Sequence, residues 1–247
     1  MVTAMLFAGG VGRRMKSDDL PKQFLTVAGK PIIMRTIDHF EKHSEVDDIV
    51  IACKEEWIDY LNNLIEKYEI KKVRAVIPGG ETGYKSIHNG VLETAKVATK
   101  LDDIILICDG VRPMLSEKLI SNCIRITREF GTAVPVTPSI DSLLYSENGE
   151  TCGKSYKRSS MYITQAPQGY TMERILWAHS EAEKRGITNS VSSSELFIEL
   201  GEEVRLFQGE RTNIKVTTPE DMDALRASFF YKHFKQFAEE EFTRTDI

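Results

Sequence analysis

The chain has 247 residues, 41% of them hydrophobic, enough for one large α/β domain or two small ones around a sizeable core. Its formal net charge of -5 excludes a general binder of nucleic acid or of anionic membranes, but not a local basic pocket for a small phosphorylated ligand. Four cysteines, at positions 53, 108, 123 and 152, fall in no C-x-x-C pattern and are too few for a disulfide framework. The apolar start MVTAMLFAGG lacks a basic flank and is too short for a signal peptide or a membrane span, so reduced thiols and a cytoplasmic location are expected.

Strand and helix patterns alternate from the N-terminus. Val2–Phe7 reads as a buried strand, and Ile32–Phe40 as a helix opened by Pro31. Strands follow at Asp47–Cys53, Val73–Ile77, Asp102–Cys108 and Gly131–Val136. The helices between them are predicted at Glu55–Tyr68, Tyr84–Ala95 and Ser116–Phe130. Such β-α alternation with continuous apolar strands predicts an α/β fold: a Rossmann-like, mostly parallel sheet with helices on both faces. The rhythm breaks at Thr137. From there to about Thr164 two short β-like stretches flank Asn148-Gly149, a hairpin signal. A protruding β-hairpin arm over about residues 138–165 is expected. Its Leu143, Leu144 and Tyr145 either meet a partner surface, making a homodimer, or fold back on their own domain; the pattern leaves both open. Helices at Thr171–Lys184 and Ser192–Leu200, a strand at Glu203–Gly209 and a terminal helix from Pro219 complete the chain. The expected organisation is a domain over 1–228 and a helical extension over 229–247. In that extension Phe230, Phe234 and Phe237 form a stripe suited to packing on the body or on a partner.

Ligands of a parallel α/β sheet sit at the carboxyl ends of its strands. Ala8, Gly9, Gly10 and Gly12 lie just past the first strand, where bare backbone N–H groups can approach an anion. A tight turn with solvated cations would explain the glycines alone. Arg13, Arg14 and Lys22 beside them point instead to a triphosphate site. It is neither a Walker A loop, which ends G-K-[ST], nor a dinucleotide fingerprint, because Met15 stands where a third glycine is required. The histidines form no metal-ligand spacing, so zinc is not expected.

The segments AGGVGRRM…PKQFL, GGETGYKSIHNGV, CDGVRP, KRSSMYITQAPQGY and NIKVTTPEDM, in this order, resemble the cytidylyltransferases that act on sugar-alcohol phosphates. That family includes 2-C-methylerythritol 4-phosphate and ribitol 5-phosphate cytidylyltransferases. The resemblance covers about the first 225 residues, and KEEWIDYLNNLIEKY and CDGVRPML are more similar to the ribitol-phosphate branch. It implies transfer of a cytidylyl group from CTP to an alditol phosphate with release of pyrophosphate, a step that needs positioning and cations rather than a protein nucleophile. It also implies Mg²⁺ bridging the phosphates. By the same resemblance Arg14, Lys22 and Lys215 are the catalytic cations. Ala8, Gly9, Gly10, Gly12, Gly80 and Ser86 hold the nucleotide. Asp109, Ser142 and Arg158 bind the alditol phosphate, the last two from an arm that crosses to the neighbouring subunit of a homodimer.

The chain departs from the family pattern at four places. Gly83 replaces an arginine, Cys108 a histidine, Ala166 a threonine, and Val191-Ser192 a T-D pair. Most of these losses are expected on the alditol side. Two readings stand: a CTP-dependent transferase, favoured by the surviving Arg14 and Lys22, and a nucleotide-binding relative without turnover.

Overall fold

The computed structural model describes the backbone of residues 1–9 and 20–242, with side chains to Tyr231 and at Phe234. Gly10, Gly12, Arg13 and Arg14 lie outside the described residues, as do the side chains of His233 and Phe237.

In chain order the elements are β1 (Val2–Ala8), a small hairpin of β2 (Thr26–Val27) and β3 (Lys30–Pro31), α1 (Ile32–Lys42), β4 (Asp48–Cys53), α2 (Ile58–Lys67), β5 (Val73–Pro78), α3 (Gly83–Val97), β6 (Ile104–Asp109), α4 (Glu117–Phe130) and β7 (Thr132–Pro138). The arm carries β8 (Leu144–Tyr145) and β9 (Lys154–Ser155). After it come β10 (Tyr162–Thr164), β11 (Gln168–Thr171), α5 (Met172–Arg185), α6 (Ser193–Glu199), β12 (Leu206–Gln208) and α7 (Pro219–Phe242).

The sheet runs β10-β7-β11-β6-β1-β4-β5, with β12 beside β7. The pairs β6–β1, β1–β4 and β4–β5 are parallel. Alternate residues of β1 feed two cores. Ala4, Leu6 and Ala8 join the layer packed by α1, α2 and α4. Met5 joins the opposite layer with Ile87 and Val91 of α3 and with residues of α5 and α6. This two-sided burial is why the strands read as unbroken apolar runs. Local chemistry sets the helix ends: Ser116, Thr171 and Ser192 accept the backbone N–H three residues on. Gly131 and Gly186 close α4 and α5 in the left-handed conformation.

The predicted elements recur with three corrections. First, the ends of the supposed arm belong to the sheet: Thr137 and Pro138 continue β7, and β10 pairs with it antiparallel. Second, β11 lies antiparallel between β6 and β7, a strand the sequence reading lacked. Both new strands are short and polar, and only their neighbours define them. Third, of the two surfaces expected for the aromatic stripe, the body is not the one that Phe230 and Phe234 cover; they are 74% and 61% exposed on this chain. Phe229 packs instead, beneath the Arg35 guanidinium at 4.2 Å. Among the described residues no helix is long and apolar enough to cross a membrane.

The α3–α5 layer contains a histidine pair. His88 Nδ1 and His179 Nδ1 lie 3.2 Å apart, and His179 is 3% exposed. Burial, and then the His88 charge, lower the His179 pKa to about 4. An unfolded histidine titrates near 6.5, so between about pH 6.5 and 4 the unfolded chain binds a proton that the folded chain resists. Stability from this residue is complete above about pH 6.5 and is lost on acidification, by about 3 kcal/mol in all. Urea denaturation of wild type and His179→Leu should show it: the variant loses the part of the acid sensitivity that lies in that window.

Candidate active site

The parallel strands β1, β4, β5 and β6 all end on one side, where Gly9 and the loops after β4, β5 and β6 line a crevice. On its first wall, Gly79 N–H donates to Cys53 O at 2.6 Å, joining the ends of β4 and β5. Ser86, on the first turn of α3, accepts from Gly80 N–H at 3.0 Å and donates to Thr82 O at 2.9 Å. Its hydroxyl also sits 3.0 Å from where a Cβ on Gly9 or on Gly79 would stand. A Cβ on Gly80 would meet Lys85 Cβ at 2.2 Å. The glycines are there because the ends of β1 and β5 close on the first turn of α3. Gly9, Gly80 and Ser86 are thus brought together as expected, and Ala8 lies at the base, its carbonyl accepting from buried Gln23 at 2.7 Å.

On the second wall, Asp109 ends β6 and is 5% exposed. Arg112 Nε donates to its Oδ2 at 2.8 Å, and Lys215 Nζ lies 2.6 Å from Oδ1. Burial would raise this carboxyl's pKa; the charges of Arg112 and Lys215 outweigh it and hold the group below the usual carboxylate range. Asp109 is therefore an anion clamped by two cations. Arg112 also donates to Asn213 O at 3.0 Å, and Asn213 Nδ2 to Ala166 O at 2.7 Å.

The segment 213–217, an irregular stretch rather than a strand, closes against the second wall. Val216 N–H donates to Val111 O at 3.0 Å, and its side chain is buried. Lys22 Nζ donates to Val216 O at 3.1 Å. Lys22 and Lys215 are thereby set on neighbouring residues of one segment, with the Lys215 side chain 45% exposed toward a cleft. That cleft has a volume of about 230 Å³; Phe7, Ile87 and Ile107 line it with Asp109, Arg112, Gln165, Ser193 and Lys215. A larger cavity of about 340 Å³ lies between α1, the loop after β6 and Phe229. It holds none of the glycines nor the Asp109 cluster, so size alone misleads here.

Ser142 and Arg158 stand apart from this cleft. Both are exposed on the arm, and Arg158 Nη1 donates to Ile140 O at 3.4 Å. The departures sort differently from the sequence expectation. Cys108 is fully buried in the core beneath α1 and α4, whereas Ala166 and Val191-Ser192 border the cleft. Lys85, two residues past Gly83, is paired with Glu81 at 2.7 Å. Sequence reasoning missed Arg112, Gln23, Ser193 and Asn213. Arg112 stood inside CDGVRP, but nothing along the chain says that it turns back onto Asp109.

Removing Arg112 leaves a buried carboxylate with one partner. Arg112→Ala should cost about 3 kcal/mol in urea denaturation, whereas Lys215→Ala, truncating a half-exposed partner, should cost less than about 1 kcal/mol. Equal costs would contradict the burial asymmetry.

A model of the family described as IspD: 2-C-methyl-D-erythritol 4-phosphate cytidylyltransferase matches residues 2–232. The chain is 38% identical over 229 residues to the ribitol-5-phosphate cytidylyltransferase of Streptococcus agalactiae serotype III (strain NEM316), covering 93% of this chain and 95% of that one. It is 35% identical over 226 residues to the 2-C-methyl-D-erythritol 4-phosphate cytidylyltransferase of Clostridium acetobutylicum, with 91% and 95% covered. The solved 4-diphosphocytidyl-2C-methyl-D-erythritol synthase of Anaerococcus prevotii superposes with a TM-score of 0.78 at 25% identity, covering 92% and 95% of the two chains. A crevice built from bare glycine backbone and clamped cations is what transfer of a nucleotidyl group requires, and with these matches the chain belongs to the IspD family of cytidylyltransferases and is a nucleotidyltransferase.

Proposed function

We propose that the acceptor of this nucleotidyltransferase is ribitol 5-phosphate. The enzyme joins CTP and a sugar-alcohol phosphate to give a CDP-alditol and pyrophosphate. Support for ribitol comes from the relative of that name at 38% identity. A 2-C-methylerythritol 4-phosphate acceptor is the second reading, favoured by the family description and the relative at 35%.

The observation that supports the mechanism is that Lys22, bonded to the Val216 carbonyl, and Lys215, paired with Asp109, are held on neighbouring residues of one segment. A phosphate oxygen of the acceptor attacks the α-phosphorus of CTP, and the bond from that phosphorus to the β-phosphate oxygen breaks. Negative charge grows on the α-phosphate and on the departing pyrophosphate, where Lys22 and Lys215 stabilise it with no protein nucleophile. Arg14 joins them in this proposal from outside the described residues. Gly9, Gly80 and Ser86 form the nucleotide wall, and Asp109 faces the acceptor. Both Asp109 oxygens are engaged by cations, and among the described residues no group of three His, Cys, Asp or Glu is placed to hold a metal. The residues suit a Mg²⁺ ion carried by triphosphate oxygens and water, which neutralises phosphate charge when bound. A cytoplasmic location, like the absence of nucleic-acid and membrane partners, belongs to the same proposal.

Pyrophosphate release with each of the four nucleoside triphosphates against a panel of alditol phosphates tests this function. CTP with ribitol 5-phosphate should be fastest; equal turnover with ATP would sink the nucleotide assignment, and preference for methylerythritol phosphate would select the second reading.

The arm gives a sharper test of the dimer. Ile140, Leu144, Tyr145 and Tyr156 are exposed on it, apolar surface that a partner subunit would cover. In the proposed homodimer Arg158 and Ser142 complete the partner's acceptor site, while Lys22 serves its own. Lys22→Ala should lower kcat by roughly 10²–10³-fold, the effect of removing a transition-state donor. Mixed with Arg158→Ala, it should regain turnover up to about one-quarter of the wild-type sites, because one site in each mixed dimer gathers both intact residues. Verified subunit exchange without recovery would refute the crossing arm.

A further inference from the structure

The cleft beside Asp109 has a polar wall, and nearly every group on it is already committed. Gln165 Oε1 accepts from Glu210 N–H at 3.0 Å, and its Nε2 donates to Glu210 O at 2.8 Å. Gln168 Oε1 accepts from Ser194 N–H and from the Tyr170 hydroxyl, while Nε2 reaches Gln165 O and Ser194 Oγ. Ser192 Oγ caps α6 by accepting from Glu195 N–H and pairs with Ser194 Oγ at 3.0 Å. Arg112, Lys215 and Asp109 bind one another.

Ser193 is different. It lines the same cleft and is 4% exposed, and among the described residues its Oγ has no hydrogen-bond partner. A buried hydroxyl without a partner is unfavourable, and such groups are few in folded proteins. This one is also held firmly. Ser194 is bracketed by Gln168 through both backbone and side chain, and the Glu195 carboxylate accepts from Val191 N–H at 2.7 Å. The residues on either side of Ser193 are pinned, so its hydroxyl is presented in a fixed place. The apolar floor of Phe7, Ile87 and Ile107 offers it nothing to bond.

We infer that Ser193 is a specificity-determining residue that exchanges a hydrogen bond with one hydroxyl of the polyol acceptor. The inference rests on the acceptor reading above and deepens it. A serine hydroxyl both donates and accepts, as does a polyol hydroxyl, so the pair is self-complementary. A site built this way discriminates against an analogue lacking that hydroxyl, because two buried polar groups would then be left unpaired. Phosphate recognition stays with the cations already assigned; Ser193 reads the carbon chain.

The test compares wild type with Ser193→Ala, using ribitol 5-phosphate and its mono-deoxy analogues with CTP held constant. Ser193→Ala should lower kcat/KM for ribitol 5-phosphate by about 5- to 100-fold, leave the KM for CTP unchanged, and leave the melting temperature unchanged or higher. One deoxy analogue should be turned over equally by both proteins, since the interaction is already missing from its side. Unchanged acceptor kinetics would overturn the inference. So would a lowered melting temperature with every analogue falling in parallel, the pattern of a merely structural serine. The two readings fail separately: no turnover by wild type with any alditol phosphate sinks the acceptor assignment, whereas wild-type turnover that Ser193→Ala leaves intact sinks only the role of Ser193.

Discussion

The carboxylate of Asp109 is buried at the end of a central strand, and a buried charge without partners is intolerable. Its partners come from two places: Arg112 from the loop that follows, and Lys215 from near the other end of the chain. Arg112 passes the connection on to Asn213, and Asn213 to Ala166. One ion therefore ties together β6, its loop, the β10–β11 corner and the segment 213–217. With that segment fixed, Val216 can offer its carbonyl to Lys22, which is anchored as well. The architecture of the crevice follows from compensating one negative charge.

Compensation overshoots. Arg112 and Lys215 clamp one carboxylate, and Lys22 is bonded to Val216 next to Lys215, so the crevice carries surplus positive charge in a protein whose formal net charge is -5. A phosphate entering here meets cations already positioned by structural bonds, with little reorganisation left to make. The general acidity of the surface disfavours other polyanions while the crevice attracts a small one.

Much of this was legible beforehand because it is local. Continuous apolar runs announced β1, β4 and β6, and Ser116 and Thr171 announced the starts of α4 and α5. Lys22, Asp109 and Lys215 came from short motifs whose order along the chain is specific. What could not be read is what depends on distant neighbours. Strand β11 exists only because β6 and β7 leave a gap for it. Cys108 falls on the core face of β6 beside a residue that falls on the site, an alternation of period two that a motif match ignores. Ser193 looks like any serine at a helix start until the bonds around it are counted.

The two walls of the crevice are made of different materials, and this has a consequence for how such an enzyme can change. The first wall is mostly backbone, forced to glycine where Gly9, Gly79 and Gly80 crowd Ser86 and Lys85. Side-chain substitution has little room to act there without moving the loops themselves. The wall beside Asp109 is built from side chains, Gln165, Gln168, Ser192 and Ser193, on a frame held by internal hydrogen bonds. Exchanging one of them alters the polar groups that line the cleft and leaves the cations in place. The departures that border the cleft, Ala166 and Val191-Ser192, lie on this second wall. They are the kind of change that reshapes a cleft without disturbing the charged groups beside it.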